Sequence, residues 1–308
     1  MSGAPFGVRL GAAMDLHGPL CVGIDPHPGL LARWGLDDDA AGLRTFAMTI
    51  VEALVGEVAA LKPQSAFFER HGSAGVAVLE EVLGAVRGSA GGTQVILDAK
   101  RGDIGSTMEG YADAYLRDGA PLACDALTVS PYLGFGSLTP ALEAAERSGR
   151  GLFVLALTSN PEGAGLQHAV PRSVPGGAHG GLSESSGTHW GTRSVAGSIA
   201  YQAGLRNAAE LLRTGGSLGS VGLVVGATTG DAVEELDIDL AAVAGPFLAP
   251  GVGAQGGGPA ELARVFGDAR RAVLASTSRA VLTAGPDVAS LRAAAQAAVD
   301  GVAPALMR

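Results

Sequence analysis

The sequence predicts a single (β/α)8 barrel spanning residues 1–308. Three observations carry that expectation. Eight short apolar runs recur along the chain, and segments with helical hydrophobic periodicity separate them. Several of the runs are hydrophobic almost end to end, as parallel strands covered on both faces must be. Alternation of this kind builds βαβ units on a parallel sheet, and eight such units in 308 residues fit a closed barrel.

The strand candidates are "LCVGI" (20–24), "VAALK" (58–62), "QVILDA" (94–99), "ALTVS" (126–130), "GLFVLALT" (151–158), "VGLVVGA" (221–227), "PFLAP" (246–250) and "AVLAST" (272–277). Helix-like segments between them include 43–60, 74–86 and 195–213. The rival architecture, an open doubly wound sheet, wants a Gly-rich phosphate turn after an early strand, and "VGIDPHPG" is not one. One segment stands apart. Residues 162–191, "EGAGLQHAVPRSVPGGAHGGLSESSGTHWG", are rich in Gly, Ser and His without periodicity, and predict a long polar loop after strand five. Its His168, His179 and His189 match no metal-ligand spacing, so no metal site is expected.

Composition narrows the function classes. A chain of this size buries roughly three quarters of the surface its unfolded form exposes, so it needs no covalent staples. Hydrophobic residues at 47% and charged residues at 17% describe a globular chain. A net charge of −9 argues against nucleic acid or an anionic membrane as partner, while leaving room for a local basic pocket for one small anion. Cys21 and Cys124 adjoin apolar runs and are read as buried thiols. The first 20 residues lack the apolar stretch of a signal peptide, and no apolar run reaches the roughly 18 residues that span a bilayer. A cytoplasmic protein is expected.

Barrel enzymes place their chemistry at the C-terminal ends of the strands, with phosphate favouring the loops after strands seven and eight. That rule sorts the charged residues. Asp25 ends strand one, Lys62 strand two, and Asp98 and Lys100 strand three; Thr158 and Ser159 end strand five. "APGVGAQGGG" follows strand seven and brings Val252, Gly253 and Gln255; "STSRA" follows strand eight and brings Arg279. Glycines there let backbone N–H groups approach an anion, and Arg279 offers a forked cation. In "DAKRGD", Asp98 and Asp103 flank Lys100. An ammonium between carboxylates is a poor Schiff-base nucleophile and a good proton donor. Two carboxylates beside a substrate would also repel an anionic group bound there, so the pattern suggests a reaction that sheds negative charge and then takes up a proton at carbon.

These residues resemble a known family. "DAKRGDIGST", with "GIDPHP", "LKPQSAFFE", "SPYLGFGS", "TSNPEG" and "PGVGAQGG", is similar from about residue 18 to residue 279 to the orotidine 5′-phosphate decarboxylases, in particular their longer bacterial (type 2) subgroup. The resemblance implies a homodimer with shared active sites that converts orotidine 5′-phosphate to UMP and carbon dioxide without metal or organic cofactor. It puts Asp98 near the substrate carboxylate and makes Lys100 the proton donor to C6. It brings Asp103, Ile104 and Thr107 from the partner subunit. It makes Asp25 and Lys62 ribose-side contacts and Ser159 a pyrimidine contact, and gives Val252, Gly253, Gln255 and Arg279 to substrate binding at the phosphate end. A hexulose-phosphate synthase shares the Asp-x-Lys-x-x-Asp array but works through a metal-bound enediolate. "RGDIGST" and "LKPQSAFFE" favour the decarboxylase. A phosphoribosyl-ligand sensor would have little reason to keep Asp98, Lys100 and Asp103 together.

Overall fold

All eight expected strands are present in the computed structural model, which describes residues 3–171, 193–253 and 256–307. The chain opens with α1 (Phe6–His17), β1 (Leu20–Ile24), α2 (Pro28–Arg33), α3 (Ala40–Leu54) and β2 (Ala60–Pro63). It continues through α4 (Ser65–Glu69), α5 (Gly72–Arg87), β3 (Gln94–Arg101), α6 (Gly105–Tyr115), β4 (Ala126–Val129), α7 (Thr139–Ser148) and β5 (Gly151–Leu157). Then come α8 (Pro161–Gln167), α9 (Val195–Thr214), β6 (Val221–Val225), α10 (Ala232–Glu235) and β7 (Phe247–Pro250). The last elements are α11 (Pro259–Phe266), β8 (Val273–Thr277), α12 (Arg279–Leu282) and α13 (Val288–Leu306). Every strand pairs in parallel with its sequence neighbour, and β8 closes onto β1.

The structure departs from the sequence reading most clearly around β2. The helix expected over 43–60 ends at Leu54, and the strand expected over 58–62 runs from Ala60 to Pro63. Gly56 turns the chain between them at φ 80°, a left-handed conformation that favours glycine. The segment expected as loop from 162 begins instead with a helix, because Pro161 sits in the first turn of α8, where its missing N–H costs nothing. Residues 172–191 of that segment, with His179 and His189, lie outside the described residues. The reading of the two cysteines stands: Cys21 and Cys124 are buried and unpaired.

The period-two alternation of the strands divides the barrel interior into layers. Cys21, Ala60, Ile96, Ala126, Phe153, Val224, Leu248 and Leu274, one from each strand, form a single apolar cluster with Phe6, Leu10, Ala13 and Met14 of α1. Helix α1 therefore floors the barrel, a role its sequence did not announce. Two residues further along, the inward layer turns polar on four of the strands, which carry Lys62, Asp98, Thr128 and Ser276. The intervening residues, such as Val22, Leu61, Leu97 and Leu127, face outward into the helical shell.

The floor makes a testable claim. The Phe6 ring is fully buried, meets Phe153 edge to face at a centroid distance of 6.0 Å, and lies where a Cβ on Gly151 would fall. Phe6→Ala should cost about 3–5 kcal/mol in urea unfolding, and Phe6→Leu distinctly less. Equal losses would show that the ring's shape is not what fills the floor.

Candidate active site

The polar layer opens into a cavity of about 340 Å³ at the C-terminal ends of the strands. Asp25, Lys62, Asp98, Lys100, Ser159, Val252 and Arg279 all line it, so most of the residues singled out in the sequence converge there.

Asp98 is the centre. Its Oδ2 accepts from Lys62 Nζ at 3.0 Å and its Oδ1 from Lys100 Nζ at 2.6 Å. Lys62 reaches it from the neighbouring β2, and Lys100 from two residues further along β3, which bulges there. The register runs Leu97↔Leu127 and resumes at Arg101↔Val129, so Asp98, Ala99 and Lys100 together face the single residue Thr128. The bulge unhooks two amides from the ladder. Thr128 Oγ1 accepts both, from Ala99 N at 3.0 Å and Lys100 N at 2.9 Å, and its own proton goes to Asp98 Oδ1 at 3.0 Å. Lys100 sits at φ 48°, a left-handed conformation that costs a non-glycine residue on the order of 1–3 kcal/mol and persists only where its surroundings impose it.

Burial acts against the charged form of Asp98, yet the Lys62 and Lys100 ammoniums outweigh it and hold the carboxyl well below the usual carboxylate range. Burial likewise acts against a charged Lys62, and Asp98 and then Asp25 outweigh it and hold its ammonium above the usual lysine value. Cys21, beneath this layer, is pushed up to about 12 by burial and stays a thiol. The sequence suggested one lysine between two carboxylates. A single chain instead builds one carboxylate between two ammoniums, because Lys62 arrives from β2 and Asp103 does not line the cavity.

Asp103 lies in the loop after β3, where its Oδ1 accepts from Ile104 N at 2.8 Å. Ile104 and Thr107, at the start of α6, are exposed and also outside this chain's own cavity. Asp25 contributes a buried Oδ1 with no hydrogen-bond partner among the described residues, an acceptor left open at the cavity wall. After β7 the backbone folds back on itself, with Gly253 N donating to Gly257 O at 2.8 Å and Gly257 N to Gly251 O at 3.1 Å. Gly251 and Gly253 take φ of 98° and 80° there. Gln255 lies outside the described residues. Arg279 stands in the first turn of α12, at the cavity edge, without an ion-pair partner among the described residues.

Sequence reasoning passed over Thr128 and Gln64, which also line the cavity. Thr128 had a signal: it is the polar residue of "ALTVS" that alternation places inward with Ala126. A second signal lay in composition. Of the 21 Lys and Arg residues only two are lysines, Lys62 and Lys100, and both contact Asp98.

A closed barrel whose mouth holds a buried carboxylate between two ammoniums, in a cavity edged by the Arg279 guanidinium, defines a barrel enzyme with a charged reaction centre. The model of the "Orotidine 5'-phosphate decarboxylase / HUMPS family" matches residues 18–178. The Streptomyces coelicolor orotidine 5′-phosphate decarboxylase is 55% identical over 291 residues, which cover 94% of each chain. Among solved structures, a Streptomyces avermitilis protein assigned as an orotidine 5′-phosphate decarboxylase is 54% identical with a TM-score of 0.87, over 100% of this chain and 98% of that one. The Leishmania donovani OMP decarboxylase is 30% identical with a TM-score of 0.71, over 100% of both chains. This chain belongs to the orotidine 5′-phosphate decarboxylase family.

The shifted groups set a pH signature. Asp98 is depressed in the folded protein, so its stabilising contribution is complete above the unfolded value near pH 4 and drains as pH falls below it. Lys62 is raised, so its contribution is complete below about pH 10 and is lost as pH climbs through the folded value. Stability measured by denaturant across pH should therefore show a flattened acid limb in Asp98→Asn and a flattened alkaline limb in Lys62→Met. Limbs identical to wild type would show that these charges are not paired as described.

Proposed function

We propose that this chain decarboxylates orotidine 5′-phosphate to UMP and carbon dioxide, the closing step of de novo pyrimidine synthesis, with Lys100 as the proton donor to C6. The observation that carries the reading is the Lys62–Asp98–Lys100 array set deep in a cavity that ends at Arg279. The substrate's carboxylate is placed beside Asp98, where like charge disfavours the bound anion. As the bond between C6 and the carboxyl carbon breaks, carbon dioxide leaves and the electron pair stays on C6. The Lys100 ammonium stabilises that developing charge before transferring its proton to the carbon, and the resulting amine regains a proton from water.

Arg279 and the loop after β7, including Val252, Gly253 and Gln255, take the phosphate, remote from the reacting carbon. Binding energy spent there can organise the charged array. The open acceptor on Asp25, together with Lys62, suits ribose hydroxyls, and Ser159 suits a pyrimidine edge. The reaction as written needs no metal or organic cofactor. A cytoplasmic enzyme is part of the reading. Two buried unpaired thiols support it, and among the described residues no helix is long and apolar enough to cross a membrane.

The second carboxylate of the array comes, in this reading, from the partner subunit's Asp103, with Ile104 and Thr107 beside it. Support comes from what the rim exposes. Ile104 after β3, at 62% exposure, and Tyr132 and Leu133 after β4, at 75% and 53%, place large apolar side chains at the same end of the barrel as the cavity.

The direct test follows orotidylate absorbance in excess chelator. Steady loss, equal with and without chelator, is expected, and no loss would overturn the reading; loss only without chelator would point to metal-assisted chemistry. Lys100→Ala should fold and nearly abolish turnover. Arg279→Ala should weaken binding of the phosphorylated substrate far more than of the nucleoside, by roughly 1.5–3 kcal/mol.

Shared sites have their own signature. Inactive Lys100→Ala and inactive Asp103→Ala proteins, unfolded together, mixed equally and refolded, give mixed dimers with one whole site each. Half the dimers are mixed, so about a quarter of wild-type activity should return in a two-fold dimer. No recovery despite demonstrated subunit exchange would mean that Asp103 serves its own chain.

A further inference from the structure

Arg101, the residue after Lys100, does not line the cavity. Its side chain reaches the helical shell, where NH2 pairs with Glu69 at the end of α4 and lies 3.5 Å from the Tyr115 hydroxyl. Its Cζ sits 5.7 Å and 6.0 Å from the ring centres of Tyr111 and Tyr115 on α6. A third contact turns back into the bulge, with NH1 donating to Ala99 O at 3.3 Å. Glu69 is itself held in place, accepting from Ser65 Oγ at 2.6 Å. The bulged stretch that carries Lys100 is therefore gripped from two sides. Thr128 takes its amides from within the barrel, and Arg101 takes its carbonyl from the helical shell.

The grip has something to hold. Lys100 is the strained residue of the strand end, and a relaxed backbone there would swing its side chain off Asp98. We propose that Arg101 is a positioning residue: through Glu69, Tyr111 and Tyr115 it locks the β3 bulge and so keeps the Lys100 ammonium against Asp98. The proposal rests on the role given to Lys100 above. Contacts in several directions from one planar fork are beyond a lysine, so Arg101→Lys should fail to replace it.

Because Lys62 and Lys100 are the only lysines, amine acylation read by mass spectrometry reports on the site, with the nearly enclosed Lys62 as internal control. In Arg101→Met, kcat should fall about ten- to a hundred-fold, the loss expected of a displaced reacting group. KM should stay within about three-fold, since ground-state binding is untouched. Lys100 should acylate several-fold faster relative to Lys62, because a side chain released from Asp98 meets reagent more often. Arg101→Lys should show most of the same defect, and Glu69→Gln a milder form of it. A folded Arg101→Met protein with wild-type kcat and wild-type Lys100 labelling would overturn the proposal, as would equal acceleration at both lysines, which would mean general loosening. If Arg101→Met does not fold, Glu69→Gln decides: faster Lys100 labelling supports the clamp, and unchanged labelling refutes it. Should wild-type protein fail to consume orotidine 5′-phosphate, the functional reading falls while the labelling ratio still judges the clamp.

Discussion

A carboxylate buried in a barrel must be compensated, and the mouth of this barrel is organised around doing so for Asp98. Unpaired, the desolvated charge would cost several kcal/mol. Lys62, Lys100 and Thr128 each supply one hydrogen bond to it. Meeting that demand takes two ammoniums on neighbouring strands, one of them on β3 itself where the strand bulges. The bulge in turn strands two amides, which Thr128 recovers. Such a cluster is a poor device for stability, since well-packed apolar groups of similar volume usually serve as well or better. Its presence here is an argument about chemistry.

The same alternation that makes the floor makes the mouth. Ile96 and Asp98 lie on one face of β3, one closing the apolar cluster with α1 and the other meeting the lysines. A slip of one residue in β3 would turn Asp98 outward into the helical shell and Leu97 into the site. The apolar floor therefore does more than stabilise: it fixes the register on which the charged layer depends. Helix α1 belongs to the function for that reason, although no residue of it lines the cavity.

What the sequence made legible follows the range of the interactions. The strands were readable because burial on both faces leaves near-continuous apolar runs, as in "GLFVLAL", and the strand-end residues followed from the architecture. Helix α1 was not readable, because "FGVRLGAAMDLH" mixes glycines and small residues whose use appears only when a barrel floor must be covered. The pairing of Asp98 with Lys62 was hidden for a similar reason. Asp103 is five residues away in sequence and Lys62 is 36, but β2 lies beside β3 and brings Lys62 onto the carboxylate. The bulge was hidden too, since two extra residues in one strand show only against the register of the next.

The choice between the two basic residue types completes the physical account. The chain meets nearly all its needs for positive charge with arginine, including the Arg279 cation at the cavity edge, where a planar fork suits an oxyanion. Only against Asp98 does it use lysine, and it does so twice. Charge alone does not explain that, because a guanidinium carries the same charge and forks onto a carboxylate better. What a guanidinium cannot do is give up its proton under ordinary conditions. An ammonium can, and it is compact enough for two to meet one carboxylate on the inner wall of a barrel. Under the proposed reaction Lys100 must end one step as a neutral amine, a state arginine does not reach in proteins. Lys62, enclosed and held charged by Asp98 and Asp25, keeps the carboxylate paired while Lys100 is spent. In the proposed reaction the division of labour between the two lysines follows burial: the enclosed one holds the charge, and the open one moves the proton.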